Sequence, residues 1–262
     1  SMREMTRRKK GIEAIRQMAK AMGLISTVRF QQTRERAERA ERSFALMRRT
    51  MADLAKGAET THPYLCGMDV PVRGAVFVTS DRGLAGGYTT ALIRLLKEKG
   101  WNPGGSRIWA VGKKGAGLLE RRGFEIFGAW TKGLPLPKMA ERLSAELLKA
   151  YKAGEIGEIH LFFTRPGRGM ELEPGSMRLL PPEEPEDVSK QMTPMNFEPS
   201  FEEALEYIIP AYLCQMIYGG LLMGQAAENR ARMEAMDAAE RNAKDMVDAL
   251  TLQFHRARQG AI

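Results

Sequence analysis

A chain of 262 residues, 44% of them hydrophobic, is long enough to bury the core of one or two domains. It holds no run of 18 apolar residues, so no membrane span is expected. Its two cysteines, Cys66 and Cys214, are too few for a disulfide framework, a zinc site or a redox pair. The net charge of +8 sits at one end, because residues 1 to 50 hold 14 Lys/Arg against 5 Asp/Glu and the rest of the chain is close to neutral.

The first segment, residues 1–58, reads as one long helix. Ile12, Ile15, Ala19, Met22 and Ile25 recur at three or four residues and predict an apolar stripe between charged faces. The basic start (Arg3, Arg7, Arg8, Lys9, Lys10) has no apolar stretch to complete a secretory signal. Its superficial likeness to a mitochondrial presequence is outweighed by the stripe running straight into the helix. Such a helix suits nucleic acid or an anionic membrane surface, yet it carries no base-reading motif and only two rings, Phe30 and Phe44. An acidic protein partner or a solvated face fits equally well.

Residues 70–180 alternate between strand and helix patterns. Strands are predicted at 73–79, 107–111, 124–127 and 158–164, helices at 89–99, 113–122 and 138–152, and an edge strand at 170–180. That order predicts a Rossmann-like open α/β sheet, mainly parallel, with right-handed crossovers. A proline-rich acidic connector follows over 181–200, with Glu183, Glu184, Glu186 and Asp187.

The last segment, 201–262, is helical, with Pro210 expected to mark a kink or a start. From Ala211 to Ile262 nothing interrupts it, and at about 1.5 Å per residue it spans roughly 75 Å. That is more than a compact domain of this size covers. Its seam (Ala239, Ala243, Met246, Leu250, Phe254, Ala257) and the small residues Gly220, Gly224, Ala227 and Ala231 predict a long antiparallel coiled coil with the first helix. A helical hairpin inside an ordinary bundle is the alternative.

Candidate chemistry is sparse. T-S-D-R-G-L-A-G-G-Y, residues 79 to 88, places a glycine-rich loop between a strand and a helix, where backbone amides bind phosphate well. Neither G-x-x-x-x-G-K-[ST] nor G-x-G-x-x-G is present, and Asp81 and Arg82 read instead as fixing the loop through hydrogen bonds and a local ion pair. The G-K-K-G-A-G run at 112 to 117 reads as another strand-to-helix turn. His62, His160 and His255 lack metal-ligand spacing and have no nucleophile beside them. No catalytic site, metal or cofactor is expected.

The order of parts, with K-A-M at 20 to 22, S-D-R-G-L-A-G-G at 80 to 87, F-E-P-S at 197 to 200, A-R-M-E-A-M-D-A-A-E-R-N at 231 to 242 and F-H-R-A-R-Q-G-A-I at 254 to 262, resembles the gamma subunits of F-type ATP synthases along essentially the whole chain. The resemblance implies a central rotor shaft. Its coil would stand inside a ring of alternating alpha and beta subunits, and its α/β domain would sit at the foot with the epsilon subunit on the membrane c-ring. It implies no active site of its own, no nucleic acid, and a place on the cytoplasmic face of a bacterial inner membrane. By the same resemblance, Lys20, Met22, Arg232, Arg258 and Gln259 are expected at beta-subunit contacts, and Phe197, Glu198 and Pro199 near the ion ring.

Two departures stand out. Members of that family usually continue for several helical turns beyond Ile262, which implies a truncated chain or a short axle, and Ala85 stands where many have Cys. The cysteine insertion of chloroplast forms is absent, so redox control of that kind is not expected. A small α/β nucleotide-binding protein with helical arms, and a coiled-coil scaffold with a basic arm for nucleic acid, are the competing readings.

Overall fold

The computed structural model describes residues 2–57, 62–131, 133–167, 169, 171–183 and 200–259. Two helices dominate, α1 (Met2–Gly57) and α6 (Phe201–Gln259). They run antiparallel. Phe44 of α1 meets Gly219, Gly23 meets Met236 and Asp237, and Ile12 clusters with Ala243 and Val247.

The seam along α1 is strictly periodic. Ile12, Arg16, Ala19, Gly23, Ser26, Phe30, Thr33, Ala37, Ala40, Phe44, Met47, Met51 and Leu54 follow one another at alternating steps of four and three, and each is buried or partly buried. A seven-residue period is that of a left-handed coiled coil. It admits only one phase, and here it departs from the apolar stripe read from the sequence. Ile15 is 53% and Ile25 54% exposed, and Met22 lies half-buried beside the seam. The cause is composition: polar or small Arg16, Gly23 and Ser26 occupy the seam, so apolar periodicity picks out the neighbouring stripe. On α6 the same slip makes Val247 a seam residue in place of the exposed Met246, and Ala257 is exposed as well.

Between the long helices lie α2 (Pro63–Cys66), β1 (Arg73–Val78), α3 (Tyr88–Glu98), β2 (Ser106–Val111), α4 (Lys113–Glu120), β3 (Ile126–Trp130), α5 (Leu136–Lys152), β4 (Glu158–Pro166) and β5 (Leu172–Leu180). The sheet order is β3-β2-β1-β4-β5, parallel except for the β4–β5 pair. Both faces are covered, so its inner strands are almost continuously apolar. Ala75 and Phe77 pack with α3 and α4, while Val76 and Val78 on the opposite face pack with α5 and α6.

The expected open α/β sheet and its edge strand are therefore present. β3 begins at Ile126, because Phe124 turns into the core under α4 instead of pairing. α2 has no apolar period to announce it. His62 caps it by accepting the Tyr64 amide, and Pro63 opens its first turn.

Helix α6 starts at Phe201 and runs through Pro210, which is therefore no start. One 18-residue window of α6 is long and apolar enough to cross a membrane, but 61% of it is buried inside the protein, as befits a core helix. Of the predicted connector only Pro181, Pro182, Glu183 and Ser200 are described, so Phe197, Glu198 and Pro199 lie outside the described residues.

Candidate functional site

Beyond Ala235 the buried positions of α6 are Met236, Ala243 and Val247, all on the α1 side. Some 24 residues of α6, about 36 Å, thus project from the sheet as a two-helix shaft. Its seam is narrow, and the rest of its surface is bare. Along α1, Ile15, Met18, Leu24, Ile25 and Val28 are each more than half exposed, forming an apolar band on one side of the shaft. Scattered exposed apolar residues need no explanation, but five within 14 residues mark a contact surface.

The expected contact residues do not form one cluster. Lys20 is exposed and Met22 half-buried in this band, whereas Arg258 and Gln259 are exposed at the far tip. Arg232 is different. Its guanidinium donates to Glu228 at 2.8 Å, and the two side chains are only 12% and 5% exposed. It belongs to the base of the shaft.

That base is where the glycine-rich loop docks. Ala85 and Tyr88 pack with Ala227 and Ala231, and the Tyr88 hydroxyl donates to the Gly224 carbonyl at 3.1 Å. Burial pushes the Tyr88 pKa far up, so this donor stays protonated. Arg230, almost fully buried, donates from Nη1 to the Gly167 carbonyl and from Nε to Glu234, and it lies 5.7 Å from the Phe30 ring centroid. Apolar periodicity passes over these residues, since it treats Glu228, Arg230 and Arg232 as surface.

The two glycine-rich turns lean on each other. A Cβ on Gly112 would meet the Ser80 and Thr79 backbone at 2.7 Å, and one on Gly115 would meet the Thr79 side chain at 2.1 Å. Asp81 accepts the Lys113 amide at 3.1 Å, so the protein's own carboxylate sits at the N-terminus of α4. Asp81 is thus the expected fastener of the loop, and the glycines serve close packing.

His160 lies on β4, with Nε2 2.7 Å from Glu158 and its ring edge-on to Trp101. Burial lowers its pKa, outweighing the Glu158 hydrogen bond that raises it. A histidine whose folded pKa lies below its unfolded value near 6.5 takes up a proton more readily when unfolded. Stability should therefore fall as pH drops through about 6.5 and below. Denaturant midpoints at pH 5 to 8 should show this slope in the native chain and a shallower one in His160→Asn; equal slopes would assign it to other groups. His255 neighbours Phe254 on the shaft. Among the described residues, no three His, Cys, Asp or Glu side chains are grouped to hold a metal.

Known proteins share this architecture. A family model for ATP synthase matches residues 1–262. The ATP synthase gamma chain of Lachnoclostridium phytofermentans is 39% identical over 274 residues, covering 100% of this chain and 94% of that one. That of Desulfitobacterium hafniense is 35% identical over 267 residues, again covering 100% and 94%. Among solved structures, the rotor of the Euglena gracilis mitochondrial ATP synthase superposes with a TM-score of 0.73 over 99% of this chain and 98% of that one, at 15% identity. The central stalk with c-ring of the Tetrahymena thermophila enzyme gives 0.63 over 85% and 99%, at 20% identity. With a full-length family match and relatives above 30% identity on top of the projecting two-helix shaft, the chain belongs to the ATP synthase gamma-chain family.

Proposed function

We propose that this chain is the central rotor shaft of an F-type ATP synthase, coupling transmembrane ion flow through rotation to ATP synthesis or hydrolysis on partner subunits. The observation that carries this reading is the projecting coil, about 36 Å of two helices with a bare apolar band that none of the described residues covers. A stiff, asymmetric shaft presents a different face to each of several equivalent partners. Differential contact energy then shifts each partner's conformational equilibrium in turn.

The partners of this reading are a hexameric ring of alpha and beta subunits around the coil, with the epsilon subunit and a membrane c-ring at the foot. The assembly would sit peripherally on the cytoplasmic face of a bacterial inner membrane. The shaft itself has no active site in this reading; its chemistry is contact. Lys20 and Met22, beside Gly23 where it faces Met236, would meet a beta subunit near the root of the shaft, and Arg258 and Gln259 would do so at the tip. Arg232, tied to Glu228, would act through the base of the shaft. Phe197, Glu198 and Pro199 would lie near the ion ring.

Replacing Arg258 and Gln259 together by alanine tests the tip. Both are exposed, so the melting curve should shift by under about 0.5 kcal/mol. In the reconstituted complex, ATP-driven ion pumping should fall several-fold. Unchanged pumping would make both residues plain solvated surface.

A further inference from the structure

Two loops of the α/β domain meet the root of the shaft. The glycine-rich turn does so through Ala85 and Tyr88, which pack on Ala227 and Ala231 of α6. The turn after β4 is held by one residue of α6, Arg230, whose side chain is 4% exposed. Its Nη1 donates to the Gly167 carbonyl at 3.1 Å, and its Nε donates to Glu234, one turn further along α6, at 3.2 Å. Its guanidinium carbon lies 5.7 Å from the centroid of the Phe30 ring on α1. A single side chain thus joins both helices of the shaft to the β4–β5 pair.

Burying a cation here is a poor way to gain stability. Lost hydration is repaid only when the geometry is good and every donor is matched, and Nη2 of Arg230 has no hydrogen-bond partner in the protein. Methionine would cover the Phe30 ring from the same position with no charge to desolvate. Arg165 on β4 also reaches α1, at Glu41, but over 3.7 Å and with 43% of its side chain exposed, and ion pairs so open to water contribute little. What arginine supplies and methionine lacks is direction. A planar fork held by a carbonyl on one side, a carboxylate on another and a ring beneath fixes the angle between the elements it joins.

We infer that Arg230 is a positioning residue that sets the angle at which the shaft leaves the α/β domain, by clasping α1 and α6 to the β4–β5 turn at Gly167. The angle is a property of the isolated chain. Its mechanical consequence rests on the shaft reading, in which torque between the foot and the ring passes through this root and the clasp adds its stiffness to that of the coil.

The test is the distribution of distances between spin labels at two exposed sites, Arg241→Cys on the shaft and Lys97→Cys on α3, in the full chain carrying Cys66→Ser and Cys214→Ala. A second pair, Lys97→Cys with Glu120→Cys on α4, reports on the α/β domain alone. With the glycine-rich turn and Arg230 acting as two comparable springs, removing one halves the stiffness and doubles the mean-square spread. Arg230→Met should therefore broaden the first distribution about 1.4-fold and leave the second unchanged. The melting midpoint should hardly move, since Glu234 is 29% exposed and stays within reach of water. Arg230→Lys, which keeps the charge but cannot hold Gly167 and Glu234 together, should also broaden the first distribution. An unchanged width in Arg230→Met, equal broadening of both pairs, or a native width in Arg230→Lys would overturn the assignment. So would failure of both variants to fold, because arginine would then be required for stability. In the reconstituted complex, with the ring immobilised and a bead on the foot, the resting angular variance should rise about twofold in Arg230→Met. Unchanged variance there would overturn the mechanical consequence, whereas a native chain that fails to assemble with ring subunits would overturn the shaft reading and leave the distance result standing.

Discussion

Gly219→Leu is expected to lower stability by about 3 kcal/mol or more. A Cβ at Gly219 would stand 2.4 Å from Cε1 of Phe44 and 3.0 Å from Cδ1. That ring cannot swing aside, since it is 6% exposed and meets Phe163 of β4 edge-on at 5.6 Å. The added side chain must therefore push α1 off α6 where both cover the sheet. Even Gly219→Ala should be net destabilising, because overpacking costs about 1–3 kcal/mol against a gain of roughly 1 kcal/mol in helix propensity. Gly11→Ala provides the opposite sign: nothing lies within 4 Å of its Cβ, so only the propensity gain remains. Denaturant midpoints of the three variants decide the matter. A midpoint for Gly219→Leu at or above the native value would show that the α1–α6 contact at the sheet yields easily.

The large features of this fold are written in its composition because each has a long-range period. Alternating strand and helix patterns specify the open sheet, and the apolar runs of β1 and β4 show that both faces are covered. The coil is legible as an element but not in its phase. A seam that places Arg16, Gly23 and Ser26 between the helices is invisible to an apolar template, while the exposed band at Ile15, Met18 and Ile25 imitates one. The misreading has a physical meaning, since the band is apolar for a reason other than the coil's own packing. The base of the shaft was illegible for the converse reason. Glu228, Arg230 and Arg232 are charged residues buried by mutual pairing, by the Gly167 carbonyl and by the Phe30 ring, and those partners lie up to 200 positions away in sequence.

The exposed band makes the sharpest demand on the shaft reading. In the isolated chain, Ile15→Glu, Met18→Glu and Ile25→Glu together should barely change the melting curve, because all three side chains are more than half exposed and glutamate is at least as good a helix former as isoleucine or methionine. On the shaft reading a ring of partner subunits covers the same band, and a carboxylate buried there without a partner would cost several kcal/mol. That cost differs with rotor angle, because equivalent partners hold different conformations at any instant. A contact energy that varies with angle is a barrier to turning, whereas one equal at all angles is not. ATP-driven ion pumping in the reconstituted complex should therefore fall by at least about tenfold, the effect of roughly 1.4 kcal/mol. The corresponding triple alanine variant, which removes apolar contact without adding charge, should retain more pumping than the triple glutamate variant. Normal pumping by the glutamate variant with an unaltered melting curve would place the band in solvent within the complex. Coupling would then have to come from the polar positions at Lys20 and at Arg258 and Gln259.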